Sequence, residues 1–540
     1  MTLRKKLNSR PELLIALIGV VIAAAWLPLR TRFPFDDTYI TFRYAQNVAH
    51  GFGIVWNPGG AHTEGYTNFL YMLLLVPFSW MGSDLVNVAQ LRNVIVVIIT
   101  AIAIWKITNH ESRVASEGRG PAGTPGLQSA GVLAVALFYL SPFTWMNAYS
   151  GMETSLFTMF IVLAIGYLNH SLDKIRRRGG EPSRWSLITP FWIATLATLT
   201  RPEGALLGPI LLLVILLTQR DKAHRVAAIT GFATMFVAPL VMYAAWKWWY
   251  FGDLLPNSFY VKVAQSGVFL PGRGTVRIFY TGVWYLVLPA LFAIREWKKS
   301  AGVKTMIVWC VALSTFYLFS QLIQPQYDRF MYSIEVMLIM LAAIGLARIN
   351  MRGVAATVAV VVALLVVAAR MTLIERGALG YIQDATQEHS CYRRVAKVFS
   401  TIPDREHILL CWSDAGILPY YAGMNHLDPV GLNTNEIAHA ASGEQVARYI
   451  AQARPDILFI PRDLKTHDII TWGHGLIGHA YPLLLQQPEL RTYRAIATIP
   501  QTVYDLDVLV DTTSVHYRDI VRTIIPRIGK DLDFSTPTHR

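Results

Sequence analysis

Two adjacent carboxylates, Asp36 and Asp37, follow directly on an apolar run, and behind them Tyr39, Arg43, Asn47 and His50 recur at offsets of four, four and three, one face of a helix. An aspartate at a helix start caps it and complements its dipole. That accounts for one of the pair better than for two, so at least one is a candidate for chemistry. The loop that follows carries a turn at Asn57-Pro58-Gly59-Gly60, then His62, Glu64, Tyr66 and Asn68. Further acids and bases sit at the ends of other apolar runs: Glu153 after Ser150-Gly151-Met152, Arg201 and Glu203 around Pro202, Asp253, Asn257, Tyr260 and Lys262 after Gly252, and Tyr327, Asp328, Arg329 and Glu335. Singly, each is an ordinary cap or interface anchor. Together they suit a displacement at a membrane surface. A carboxylate takes the proton of an acceptor hydroxyl, cations drawn from Arg43, His62, Arg201, Lys262 and Arg329 hold a departing phosphate, and aromatic residues such as Tyr39, Trp56, Tyr66 and Tyr327 wall a sugar ring. With them, Glu64, Asn68, Glu153, Glu203, Asp253, Asn257 and Tyr260 make the candidate substrate-binding set. No GxxxxGK[ST] cradle occurs, which argues against a nucleotide as direct donor.

The elements that must position these residues are membrane helices. Of 540 residues, 53% are hydrophobic and 15% charged, against about 25% charged in ordinary soluble domains. Apolar runs near 12–29, 87–106, 130–149, 153–169, 187–200, 204–219, 226–247, 276–294, 303–322, 330–347 and 353–371 predict about eleven spans. The net charge of +13 reads as cytoplasmic loops facing anionic lipid, not as a nucleic-acid surface. With the N-terminus inside, the basic clusters at Arg4–Arg10, Lys174–Arg184, Arg220–Arg225, Arg295–Lys304 and Arg348–Arg352 all fall on one side. The segment Phe69–Trp80 is too short to span and would invert every later loop, so it is expected to lie along the outer surface.

After about residue 372 the composition turns soluble. Strand-like runs at His407–Trp412, Ile457–Ile460, Ala495–Ile499 and Asp507–Val510 alternate with helical stretches at Ser390–Phe399 and Gly443–Gln452, a small α/β domain on the outer side. The expected division is therefore 1–371, a membrane domain with surface helices in the outer loop 30–86, and 372–540, the outer domain. Asp414, Tyr420 and Asp428 are its candidates for guiding an acceptor. Cys391 and Cys411 are candidates for one disulfide in an oxidising compartment. Asp36, Asp37 and Glu64 have the ligand types for a divalent ion, which the sequence does not require; no cofactor is implied by it.

The run Asp36-Asp37-Thr38-Tyr39-Ile40-Thr41-Phe42-Arg43-Tyr44-Ala45-Gln46-Asn47, followed by Asn57-Pro58-Gly59 and Glu64-Gly65-Tyr66-Thr67-Asn68, resembles the first outer loop of GT-C glycosyltransferases. Within that superfamily it most resembles bacterial proteins related to the terminal arabinofuranosyltransferases of mycobacterial cell-wall arabinan. Ser150–Glu153, Thr200–Gly204, Tyr250–Tyr260, Asp414–Tyr421 and Leu427–Asn433 extend the match along the chain. The resemblance implies a GT-C-like fold in a bacterial inner membrane, with the active site and C-terminal domain outside. It also implies a polyprenyl-phosphate sugar as donor, decaprenyl-phospho-arabinofuranose in the first instance, a cell-envelope glycan or exported protein as acceptor, and inversion at the anomeric carbon. The base it implies is Asp36 or Asp37, with the first position favoured. Two other classes compete: a transporter or flippase of lipid-linked sugars, and a non-catalytic envelope scaffold.

Overall fold

A computed structural model describes residues 11–32, 34–114, 129–178, 184–261, 284–318, 329–347, 391–471, 476–500 and 504–527. The expected span 353–371 and the site candidates Lys262 and Tyr327 lie outside the described residues.

The first helix, α1 (Pro11–Trp26), packs against α3 (Leu85–Val114), and between them lie α2 (Asp36–Ala49) and two five-residue helices at Phe69–Leu73 and Val76–Trp80. Five residues rise about 8 Å, far short of a bilayer core of about 30 Å. Next come α4 (Ser129–Leu140) and α5 (Pro142–Tyr149), bent by 56° where Ser141 precedes a proline. The Ser141 hydroxyl donates to Glu335 Oε1 at 2.7 Å, satisfying a buried carboxylate at the break. After them run α6 (Thr154–Arg178), α7 (Arg184–Thr200), α8 (Leu207–Thr218), α9 (Lys222–Phe251), α10 (Ala301–Leu318) and α11 (Tyr332–Leu346). A π-turn at Ala233–Val237 interrupts α9, and Gly252 ends it in the left-handed region that its missing Cβ permits (φ 77°).

Among the described residues α3, α6 and α9 are long and apolar enough to cross a membrane, as is the bent pair α4–α5 taken as one span. Only 17% of the apolar window of α9 is buried inside the protein, so its outward face is left for lipid. The chain is an integral membrane protein. Five other expected spans, 12–29, 187–200, 204–219, 303–322 and 330–347, appear as shorter apolar helices, and the described part of 276–294 begins with the eight-residue helix Trp284–Leu291. The 16 residues of α1 rise about 24 Å and would need their flanks or a thinner bilayer to complete a crossing.

The C-terminal domain, named the outer domain after the side expected of it, is a five-stranded sheet in the order β2-β1-β3-β5-β4, built from β1 (Leu409–Cys411), β2 (Asn425–Leu427), β3 (Ile457–Asp463), β4 (Tyr493–Pro500) and β5 (Tyr504–Asp511). β2, β1 and β3 are parallel, with α12 (Ile417–Ala422) between β1 and β2 and α13 (Gly443–Ala453) before β3; β5 and β4 add antiparallel. Cys391 and Cys411 are both buried, and the expected disulfide does not join them. They lie in separate cores: Cys391 shares one with Phe399 and Trp412, Cys411 the other with Val446 and Ile450. The first of these cores is continuous with Tyr39, Phe42 and Tyr71 of the membrane part.

Candidate functional site

Where α2 begins, its two aspartates part. Asp36 is half-buried and turns to the outer domain, accepting from the backbone N–H of Gly416 (2.8 Å) and Ile417 (2.6 Å) at the start of α12. The approach is so close that a Cβ at residue 416 would sit 2.0 Å from the Asp36 carbonyl oxygen, so only glycine fits. Burial and then the neighbouring Asp414 push the Asp36 carboxyl well above the usual range, against the pull of these amides. Asp37 faces a cavity of about 240 Å³. Its Oδ2 lies 3.3 Å from Nη2 of Arg329, and its side chain keeps 37% of its exposure.

The cavity is lined by Ile40 and Thr41 of α2, by Tyr66 and Asn68, by Met152 and Glu153, by Arg201 and Glu203, by Phe316 and Tyr317 of α10, by Arg329 and Phe330, and by Leu255–Pro256 and Ser258–Phe259. Leu432 alone comes from the outer domain. The two guanidinium groups differ. Arg201 is held by Glu203 (Nη2 to Oε1, 2.9 Å; Nε to Oε2, 3.3 Å) and by Glu153 (3.4 Å), while Tyr317 donates to Glu203 at 2.6 Å and Asn68 to Glu153 at 2.9 Å. Its charge is answered within the protein. Among the described residues Arg329 hydrogen-bonds only to the Met152 thioether (2.8 Å) and Asp37, and its Nε is buried with no hydrogen-bond partner. The Tyr66 hydroxyl is likewise buried and unpartnered at the cavity wall.

The wall at 149–153 is fixed carbonyl by carbonyl. Gln90 donates to Tyr149 O (2.8 Å), Thr38 to Ser150 O (3.0 Å), Tyr71 to Gly151 O, and Asn93 to Met152 O (2.8 Å). Four side chains from three elements thus hold the loop that presents Met152 and Glu153.

Several residues expected at the site work elsewhere. Arg43 does not face the cavity: its guanidinium donates to the carbonyls of Trp56 (2.9 Å), Pro419 (2.7 Å) and Met424 (2.7 Å) and to Asn57 Oδ1, clamping the outer domain. Tyr39 is buried at the same junction, accepting from Arg393 at 2.7 Å and packing on Tyr420, whose hydroxyl accepts from Gln46. Asp428 is fully buried and cannot meet an acceptor. It receives the N–H groups of Val430 and Asn433 and shapes the turn that presents Leu432. Asp414 accepts from Tyr392. Glu64 is ion-paired to Lys247 at 2.6 Å, so Asp36, Asp37 and Glu64 do not form a ligand set; among the described residues no group of three or more such side chains is arranged for a metal ion. His62 stacks outside the cavity on Tyr250, and Asp253, Asn257 and Tyr260 face the outer domain.

The sequence reading missed Tyr317, Lys247 and Leu432. Lys247 had a signal, a lone charge within an otherwise apolar span. Leu432 had none.

Residues 381–517 match a family described as a domain of unknown function, DUF8728. The terminal beta-(1->2)-arabinofuranosyltransferase of Mycobacterium tuberculosis is 25% identical over 261 residues, which are 48% of this chain and 39% of that protein, so the match spans well under half of the relative's length. ArnT from Cupriavidus metallidurans, solved with undecaprenyl phosphate, superposes with a TM-score of 0.53 at 12% identity over 93% of this chain and 98% of that one. The oligosaccharyltransferase AglB from Archaeoglobus fulgidus, solved with an inhibitory peptide and a dolichol-phosphate, gives 0.55 at 12% identity over 96% and 78%. The chain therefore has the fold of the GT-C glycosyltransferases, and its sequence likeness within that fold runs to the terminal arabinofuranosyltransferases.

Proposed function

We propose that the chain is an inverting glycosyltransferase that moves a sugar, arabinofuranose in the first instance, from a polyprenyl phosphate to a cell-envelope glycan. The observation that carries this is the pairing in one cavity of a partly exposed carboxylate, Asp37, with a cation of spare bonding capacity, Arg329. The acceptor hydroxyl gives its proton to Asp37 as its oxygen attacks the anomeric carbon. The bond from that carbon to the phosphate oxygen breaks on the opposite face, and the phosphate leaves with the negative charge toward Arg329. One displacement inverts the centre. Tyr66 offers its unpartnered hydroxyl to the sugar, and Arg201, already neutralised, braces Glu153 and Glu203.

Asp36 was the favoured base on resemblance. Both its oxygens receive backbone amides, and it does not line the cavity, which moves the base to Asp37. The undecaprenyl phosphate bound by ArnT, the dolichol-phosphate bound by AglB and the sugar in the name of the mycobacterial relative support this reading by analogy. In the same reading the N-terminus is cytoplasmic, the chain crosses about eleven times, and cavity and outer domain face outward. A transporter would place its ionisable groups near the bilayer midplane; here they gather at helix ends beside the outer domain.

The test uses purified protein, synthetic polyprenyl-phospho-arabinofuranose and a short arabinan acceptor, with product followed by mass spectrometry. Asp37→Asn is expected to lower kcat by about a thousandfold, the scale of losing a general base together with part of the site's electrostatics. Asp36→Asn is expected to keep measurable transfer. The reverse pattern would return the base to Asp36. Absence of transfer from arabinofuranose, with transfer from another lipid-linked sugar, would change the donor and leave the mechanism.

A further inference from the structure

The segment from Gly252 to Val261 has two faces. Leu255, Pro256, Ser258 and Phe259 line the cavity, whereas Asp253 and Tyr260 turn outward, and the mechanism makes no use of them. Asp253 accepts from the Tyr260 hydroxyl at 3.1 Å and lies 3.2 Å from Nε2 of His439, an exposed residue closing the short helix Asn435–Ala438 of the outer domain. The Tyr260 and His439 rings pack with centroids 4.2 Å apart. On the facing segment, His62 lies flat on Tyr250, centroids 4.0 Å apart and planes 11° from parallel, with the imidazole exposed. A backbone bond from Asn257 N to Glu64 O (3.1 Å) ties the two segments together, two residues from His62 and three from Tyr260.

The segments that line the cavity thus also carry two ring pairs beside it, with Tyr260 one residue from Phe259 and His62 three from Gly65, and this flank is its rim; one pair is joined to a carboxylate that keeps 29% of its exposure. Such a surface suits a carbohydrate chain. Sugar rings present C–H faces that pack on aromatic planes, and hydroxyl edges that need both an acceptor such as Asp253 and donors such as the two imidazoles. A hydrocarbon tail would desolvate the carboxylate and imidazoles without replacing their hydrogen bonds. A phosphate-rich chain would meet Asp253 as a like charge.

We propose that this rim is an acceptor subsite, in which Tyr260–His439 and His62–Tyr250 hold the glycan residues beyond the one that receives the sugar, and Asp253 takes their hydroxyls. The proposal rests on the glycosyltransferase reading above and adds to it a binding surface for long acceptors.

Transfer to a short and a long oligosaccharide of the same linkage would be compared in the wild type, His439→Ala and His62→Ala. Each variant is expected to lower the long-to-short ratio of kcat/KM by roughly three- to tenfold, the scale of one ring contact, through KM for the long acceptor. An unchanged ratio in both variants overturns the subsite. Binding of the long oligosaccharide without donor, by titration calorimetry, separates the two ideas. If the wild type transfers from no lipid-linked sugar yet binds the oligosaccharide, and the variants bind it several-fold more weakly, the subsite stands and the glycosyltransferase reading falls. If transfer runs while neither ratio nor binding moves, the subsite falls and that reading stands.

Discussion

Asp36 and Asp37 are the same residue type in adjacent positions, yet the roughly 100° between successive helix residues sends one to an amide pair and the other to the cavity. Their oddity was legible in the sequence; their division of labour was not, because it depends on where Gly416, some 380 residues later, brings its N–H. Arg43 is a similar case. A lone arginine on a helix face reads as a phosphate ligand, but three carbonyls and an amide oxygen surround it here. Arg43→Lys should therefore destabilise the fold by about 3 kcal/mol, since one ammonium cannot serve the planar fork, while leaving KM for the donor unchanged. Thermal unfolding and donor kinetics check the two halves. His426 gives a pH prediction. It accepts from Trp56 Nε1 and bonds Trp412 O, and burial, then the charge of Arg43, pull it down to about 3 against that carbonyl bond. Its ordinary value is about 6.5, so the stability it contributes is present above that pH and is lost as pH falls toward 3. Asp428, raised to about 6 by burial against the amides it accepts, acts in the opposite sense and loses its contribution as pH rises through 6. The clean readout is a difference: relative to wild type, His426→Gln should gain in Tm as pH is lowered from 7 to 5. A Tm difference that does not change with pH would sink the assignment.

At the scale of elements, periodicity and turn chemistry located most helices, the strands β1, β3, β4 and β5, and the shortness of the helices in Phe69–Trp80. β2 escaped because Asn425–Leu427 opens on a polar pair, Asn425-His426, whereas the equally short β1 sits in the apolar run Ile408-Leu409-Leu410-Cys411. The 149–153 segment escaped for a different reason: Ser-Gly-Met-Glu says turn, and nothing in it says that Gln90, Thr38, Tyr71 and Asn93 will each claim one carbonyl. Gly65 shows how tightly the outer domain's loop meets the membrane part. A Cβ there would lie 1.9 Å from Asn433 Oδ1 and 2.8 Å from the Leu432 carbonyl. Gly65→Ala should lower stability by about 1–3 kcal/mol, the usual scale of overpacking, and reduce transfer by shifting Leu432 in the cavity wall. Unchanged Tm and unchanged kcat/KM together would mean that the loop yields freely.

Across the whole molecule, the division into a membrane part and an outer domain that composition suggests is bridged by a single apolar core. Tyr39, Phe42 and Tyr71 pack with Tyr392, Trp412, Ile417 and Leu418, and Arg43, Asn57 and Asp36 add polar ties across the same junction. The outer domain produced alone should therefore expose this half-core and aggregate or bind a hydrophobic dye, as size exclusion and fluorescence would reveal. A well-behaved monomer would show that the sheet completes its own core. The Gly416 contact carries the matter further. Because Asp36 reaches into a space where any side chain would collide, the helix bearing Asp36 and Asp37 and the loop after β1 must change together through evolution or not at all. An engineer who wishes to graft a different outer domain onto this membrane scaffold would have to transplant the 414–417 and 428–433 loops as a matched set with residues 36–68, or the chimera would lose the register that aims Asp37.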